Sequence, residues 1–180
     1  MENYINRREY IRKLLSYKDK GLIKVVSGMR RSGKSTLLEI YHENLLKQGI
    51  GKKQVQFYNF ELPENYLNKT WGDIYFGIKK KLQPNKTNYI FLDEVQNIPY
   101  FEKLVDGLFA TENTDIYITG SNAFLLSGEL ATLLSGRYIE ISILPFSFME
   151  YLTARSIDMG NKYLNYEVNI LDYTVQLILD

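Results

Sequence analysis

The sequence predicts an α/β protein built on a five-stranded parallel sheet with helices on both faces, and three observations carry that expectation. Short β-branched and apolar runs alternate along the chain with segments whose apolar residues recur at helical spacing. The strand runs are nearly continuous in apolar character, as expected of strands buried on both faces. Between the first such strand and the helix after it lies Gly28-Met29-Arg30-Arg31-Ser32-Gly33-Lys34-Ser35, which fits the phosphate-cradling pattern GxxxxGK(S/T).

Taken in order, Tyr10, Ile11, Leu14, Leu15 and Lys18 keep helical spacing, and Gly21 supplies a stop. The Arg7-Arg8 and Arg12-Lys13 pairs read as a solvated helix face, with contact to phosphate or a partner as the alternative. Residues 22–27 read as a buried strand, and a helix is expected from about Ser35 to Lys47, ended by Gly49 and Gly51. Residues 54–60 form a second strand broken by Pro63. Trp71, Ile74, Tyr75, Ile78 and Leu82 mark a helix closed by Pro84. Residues 89–92 are a third strand, 101–110 a helix and 116–119 a fourth strand. Leu125, Leu126, Leu130, Leu133 and Leu134 suggest a further helix, and residues 138–142 a fifth strand. Beyond 155, Leu164, Val168, Leu171, Val175 and Ile178 have helical spacing within a β-branched segment.

Right-handed crossovers place the loops that follow parallel strands along one sheet edge, where ligands of open α/β sheets bind. Residues 28–35, Asp93-Glu94 and residues 119–122 all fall there. Composition narrows the partners. A net charge of +1 makes no general case for nucleic acid or an anionic membrane, and no apolar run approaches the length of a membrane span. The absence of cysteine excludes disulfides and thiolate metal sites and is compatible with a reducing interior, so a cytoplasmic protein is expected. The 15 tyrosines read as amphipathic packing at core edges with hydroxyls in water, rather than as a platform for bases. The sole histidine, His42, reads as a packing or solvent-facing residue.

The glycines let the loop turn its N–H groups inward around a triphosphate, and the following helix adds its positive dipole end. Lys34 would reach the β- and γ-phosphates, while the Ser35 hydroxyl would ligate Mg²⁺. Asp93 at the end of a buried strand can hold Mg²⁺ through its water shell, and Glu94 can polarise an attacking water. In Thr119-Gly120-Ser121-Asn122 a short polar side chain could contact the γ-phosphate or the water, or the segment could be an ordinary turn. Arg137 could supply charge in trans from a neighbouring subunit, or be a surface arginine at a strand entry. Arg30 and Arg31 could approach phosphate or pair with surface acids.

Together these segments resemble the AAA+ superfamily of P-loop ATPases. More narrowly, the chain is similar to bacterial and archaeal AAA-domain ATPases that carry a nuclease-like C-terminal domain. The resemblance rests on residues 27–36, on Ile-Phe-Leu-Asp-Glu-Val-Gln at 90–96, on residues 118–127, on Leu-Ser-Gly-Arg-Tyr at 134–138, and on residues 144–152. It implies a three-layer α/β/α P-loop NTPase with sheet order 5-1-4-3-2. It further implies ATP bound by Gly28, Met29, Arg30, Arg31, Ser32, Gly33, Lys34, Ser35 and Thr36, and Mg²⁺ held through Ser35 and Asp93. Glu94 is then the catalytic base, Ser121 or Asn122 a sensor, and Arg137 an arginine finger acting in trans in a homo-oligomer. Residues 1–154 are expected to form the ATPase core and 155–180 a tail or the start of a lid, with DNA or protein engaged through regions downstream. The expected activity is hydrolysis of Mg-ATP to ADP and phosphate. A nucleotide-dependent switch with little turnover is the alternative, and a small-molecule kinase a more distant one.

Overall fold

The computed structural model describes residues 5, 7–120, 134, 136–148 and 150–151. The helix expected over residues 125–134, apart from Leu134, and the one expected beyond 155 lie outside them. The chain divides into two compact units, Met1–Pro145 and Phe146–Asp180.

The first unit runs α1 (Arg8–Ser16), β1 (Ile23–Gly28), α2 (Lys34–Lys47), β2 (Val55–Asn59), α3 (Pro63–Tyr66), α4 (Trp71–Lys79), β3 (Asn88–Asp93), α5 (Phe101–Phe109), β4 (Thr114–Thr119) and β5 (Tyr138–Ile143). All five strands are parallel, in the order β2-β3-β4-β1-β5, which is the expected 5-1-4-3-2 read from the other edge. The central strands β1 and β3 are buried at every position, whereas the edge strand β5 alternates from Glu140 outward to Ile141 inward.

Because side chains alternate across a strand, neighbouring residues feed two different cores. Ile90, Leu92, Ile116 and Ile118 join an aliphatic cluster under α4 and α5. Tyr89, Phe91 and Tyr117 point the other way, into a cluster with Leu37, Leu38 and Tyr41 of α2 and Ile11 and Leu14 of α1. This second face is aromatic. Phe91 stacks on Tyr117 with ring centroids 4.7 Å apart and on Phe57 at 5.7 Å, and His42 packs edge-on to Phe91.

Three sequence expectations change. Pro63 does not merely break the second strand: it occupies the first position of α3, where its missing N–H costs nothing. Tyr41, Tyr89 and Tyr117 are buried, and their hydroxyls bond inside the protein rather than to water. Arg7 is also buried, so that arginine is no part of a solvated face. In the second unit a capping box starts a helical turn, with the Ser147 N–H donating to Glu150 Oε2 at 2.8 Å and the Glu150 N–H donating to Ser147 Oγ at 3.3 Å. No helix among the described residues is long and apolar enough to cross a membrane.

Candidate functional site

The phosphate-loop pattern lies between β1 and α2, at the carboxyl edge of the sheet. Gly28 closes β1 where a side chain has no room: a Cβ there would stand 2.6 Å from the Ile143 carbonyl oxygen and 2.8 Å from Ser32 Oγ. Arg31 and Gly33 take left-handed backbone angles, with φ of 66° and 88°, and these two turns carry the loop round Ser32. Gly33 is the N-cap of α2 and no side chain caps that helix. The Leu37 N–H, bonded to the Gly33 carbonyl at 2.9 Å, opens the helical ladder, so the Lys34, Ser35 and Thr36 amides of the first turn are left for another acceptor. The first turns of α1, α4 and α5 each hold an acid (Glu9, Asp73 and Glu102), while that of α2 holds none. The positive end of α2's dipole is therefore open to an anion.

β3 and β4 supply the facing wall. Asp93, the last residue of β3, is fully buried. Its Oδ1 accepts from Ser35 Oγ at 3.1 Å and from Thr119 Oγ at the end of β4, while its Oδ2 is buried without any partner. Burial raises the Asp93 pKa above the usual carboxylate range. The bonds from Thr119 and Ser35 oppose that rise, and the Glu94 and Glu61 carboxylates add to it. Two oxygen donors side by side, one of them a carboxylate with an unused oxygen, suit a hard cation that keeps part of its water shell. The residues present therefore fit Mg²⁺.

Glu94 is held on all sides. Its backbone is left-handed, at φ 55°, its N–H donates to Thr119 Oγ1 at 2.9 Å, and its carbonyl accepts from the Asn97 N–H at 3.2 Å. Its carboxylate lies 3.5 Å from Lys34 Nζ by one oxygen and accepts from Gln96 Nε2 by the other. The buried Lys34 ammonium also donates to the Met29 carbonyl at 3.2 Å and the Gly28 carbonyl at 3.4 Å, so it folds back over its own loop.

Lys34, Ser35, Asp93 and Glu94 thus come together, with Gly28 to Thr36 wrapped around them. Ser121 and Asn122 lie outside the described residues. Arg137 is not brought to this edge. It precedes β5, whose Tyr138 pairs with Ile23 and whose Ile143 pairs with Gly28, so a full strand, roughly 20 Å, separates it from the loop. There it pairs with Asp106 at 2.9 Å.

Two participants escaped the sequence reading. Thr119 was legible only as part of a polar turn, yet its hydroxyl ties Asp93 to the Glu94 backbone. Arg7 sends Nη1 to the Ser32 carbonyl at 3.0 Å and Nη2 to the Leu144 carbonyl at 2.8 Å, pinning the loop to the end of β5. Partners 25 and 137 residues away leave no local signal. Two surface grooves, about 450 Å³ beside Phe57 and Lys81 and about 420 Å³ between Tyr75 and Asp106, are lined by none of the loop residues. Convergent chemistry marks the site.

A family model described as AAA domain matches residues 20–152. An uncharacterized protein of Haemophilus influenzae is 45% identical over 162 residues, covering 89% of this chain and 40% of that protein, so the chain spans less than half of its length. Among solved structures, a DNA polymerase III gamma subunit-related protein from Thermotoga maritima superposes with a TM-score of 0.55 at 15% identity, over 94% of this chain and 56% of that one. A chain from the Drosophila ORC structure bound to GC-rich DNA and Cdc6 superposes with a TM-score of 0.53 at 13% identity, over 78% of this chain and 57% of that one.

Proposed function

This chain belongs to the AAA domain family, an ATPase-type nucleotide-binding module, and on that premise we propose that it binds Mg-ATP at Gly28 to Thr36 and hydrolyses it to ADP and phosphate. The observation that carries the reading is the unfinished polar set at the loop: Asp93 Oδ2 and Ser32 Oγ are buried without partners beside a lysine that holds only carbonyls and one carboxylate. Buried polar atoms are nearly always satisfied, so a cluster left short is one that a ligand completes. The loop amides and the α2 dipole receive the phosphates, and Lys34 exchanges Glu94 for them. Ser35 and Asp93 hold the cation, which offsets the charge of the triphosphate. Glu94 accepts a proton from the water that attacks the γ-phosphorus. The bond from that phosphorus to the β–γ bridging oxygen breaks, and ADP departs as the leaving group.

Arg137 serves a neighbouring subunit's nucleotide, since a strand length separates it from its own, and Ser121 or Asn122 contacts the γ-phosphate or the water. We place the module in the cytoplasm, in a homo-oligomer. Engagement of DNA or a protein partner is assigned to the regions of the longer relative that this chain does not match. One observation favours the second reading, a switch with little turnover by the isolated chain: Arg137 is paired to Asp106, away from any loop of its own.

Binding and turnover of Mg-ATP, measured on one preparation beside Lys34→Ala and Glu94→Gln, test both readings. Binding lost in Lys34→Ala and turnover lost in Glu94→Gln are expected. Wild-type turnover no higher than that of Glu94→Gln would overturn hydrolysis and leave the switch. Binding unchanged in Lys34→Ala would overturn the site.

A further inference from the structure

We propose that Gln96 is a positioning residue for turnover, holding the Glu94 carboxylate once the nucleotide has taken Lys34 away. This rests on the reading of Glu94 as the base. Two donors share that carboxylate: Lys34 Nζ stands 3.5 Å from Oε1, and Gln96 Nε2 donates to Oε2 in a short hydrogen bond. A carboxylate oxygen only accepts, so the amide nitrogen must be the end of Gln96 that faces it. The two donors differ in what phosphate does to them. An ammonium is drawn to a triphosphate, whereas a neutral amide two residues along the same 3-10 turn (Val95–Asn97) has no comparable pull. After phosphate entry, Gln96 is the donor that remains on the carboxylate.

Gln96 also carries a cost that packing alone does not explain. Its Oε1 is buried with no partner. A buried amide one bond short is less stable than an apolar side chain of the same length, so the bond it does make to Glu94 is the reason for a glutamine at this position. The rest of Glu94 is already fixed, by Thr119 on its N–H and by Asn97 on its carbonyl. Its side chain is what remains to be placed, and Gln96 places it.

The test measures kcat and KM, the Kd of a fluorescent ATP analogue and the thermal midpoint for wild type, Gln96→Met, Gln96→Glu and Glu94→Gln, and for the double variant Glu94→Gln/Gln96→Met. Gln96→Met keeps the length and removes the donor. Its kcat should fall about 10- to 100-fold, the usual loss when a supporting hydrogen bond behind a working group is removed. Kd should stay where it is, the thermal midpoint should hold or rise because the unpartnered amide oxygen is gone, and the double variant should turn over no slower than Glu94→Gln. Gln96→Glu, nearly identical in shape, should lose more than Gln96→Met because it sets a second carboxylate against the first. Wild-type kcat in Gln96→Met, with turnover still dependent on Glu94, would overturn the role of Gln96 and leave the ATPase reading intact. A loss shared equally by Kd and thermal midpoint in both Gln96 variants would make Gln96 structural and also overturn it. Wild-type turnover that Glu94→Gln does not reduce would remove the base reading, and this proposal with it.

Discussion

Each end of the sheet buries one lysine and one aspartate, and the two sets are finished differently. At the amino end, Lys24 of β1 meets Asp115 of β4, both essentially without exposure. Asp115 Oδ1 accepts from Lys24, and its Oδ2 accepts from Tyr117 OH at 2.7 Å and from the Asp19 N–H at 3.2 Å. Tyr117 OH meets Tyr41 OH at 3.1 Å, tying α2 to the sheet, and burial pushes the Tyr41 phenol up to about 12. Burial also lowers the Lys24 pKa, against the pull of Asp115. Neither oxygen of Asp115 is left over. At the carboxyl edge, Asp93 keeps one oxygen bare, Ser32 Oγ has no partner, and Lys34 turns to carbonyls of its own loop and to Glu94 rather than to Asp93. A buried charge satisfied from within belongs to the fold; one left a bond short is what the proposed ligand would complete.

The sharpest way to break this contrast is Lys24→Met, which leaves Asp115 buried and uncompensated. It should cost about 3–5 kcal/mol of unfolding free energy in urea, and Lys24→Met/Asp115→Leu should recover most of that loss. If the single variant costs no more than a surface change, the amino end is not the structural half. The matching change at the other end, Lys34→Met, should leave urea stability within about 1 kcal/mol of wild type while weakening ATP at least 100-fold, about 2.7 kcal/mol in binding. Calorimetric titration beside urea melts separates the two quantities.

Asp93→Asn should go the other way and raise the stability of the ligand-free protein by roughly 1 kcal/mol at neutral pH, because an amide replaces a buried charge. The pH dependence follows from the direction of its shift. A carboxyl whose folded pKa is raised contributes stability that is fully present below its unfolded value, and that contribution is lost as pH rises through the folded value. Wild type should therefore lose thermal midpoint relative to Asp93→Asn as pH rises above about 4, and Mg²⁺ should raise wild type alone and so narrow the gap. Parallel profiles would show that burial of this carboxylate carries no cost. The smallest effect belongs to the exposed pair of Arg137 and Asp106, both about half exposed at 52% and 45%. Arg137→Ala should change stability by less than about 0.5 kcal/mol, yet abolish turnover if the proposed action in trans holds.

Much of the candidate site could be read in advance because its signals are short and contiguous. The loop from Gly28 to Ser35 is one uninterrupted pattern, and Asp93-Glu94 follows four apolar residues of the same strand. Both land where parallel-sheet topology puts them. Pro63 misled because proline ends one element and begins another with equal ease, and what decides is whether the next residues find a helical ladder. Tyr41, Tyr89 and Tyr117 misled because their pattern resembles that of core-edge residues such as Tyr58 and Tyr75. Only the neighbours of Tyr117 (Phe91 on its ring, Tyr41 and Asp115 on its hydroxyl) make full burial affordable.

By itself, then, the sequence determined the alternation of strands and helices, the parallel sheet that this alternation imposes, and the loop, carboxylates and lysine at its carboxyl edge. Each of these is written in a few consecutive residues, through backbone freedom at glycine, apolar periodicity and the chemistry of a single side chain. Tertiary structure alone decided which charges are finished and which are waiting. The hydrogen bonds that settle this reach across the fold: Ser35 to Asp93 spans 58 residues, Thr119 to Asp93 spans 26, and Arg7 to Leu144 spans 137. Whether a buried polar atom has a partner depends on which strands lie side by side, and that exists only once the sheet has closed.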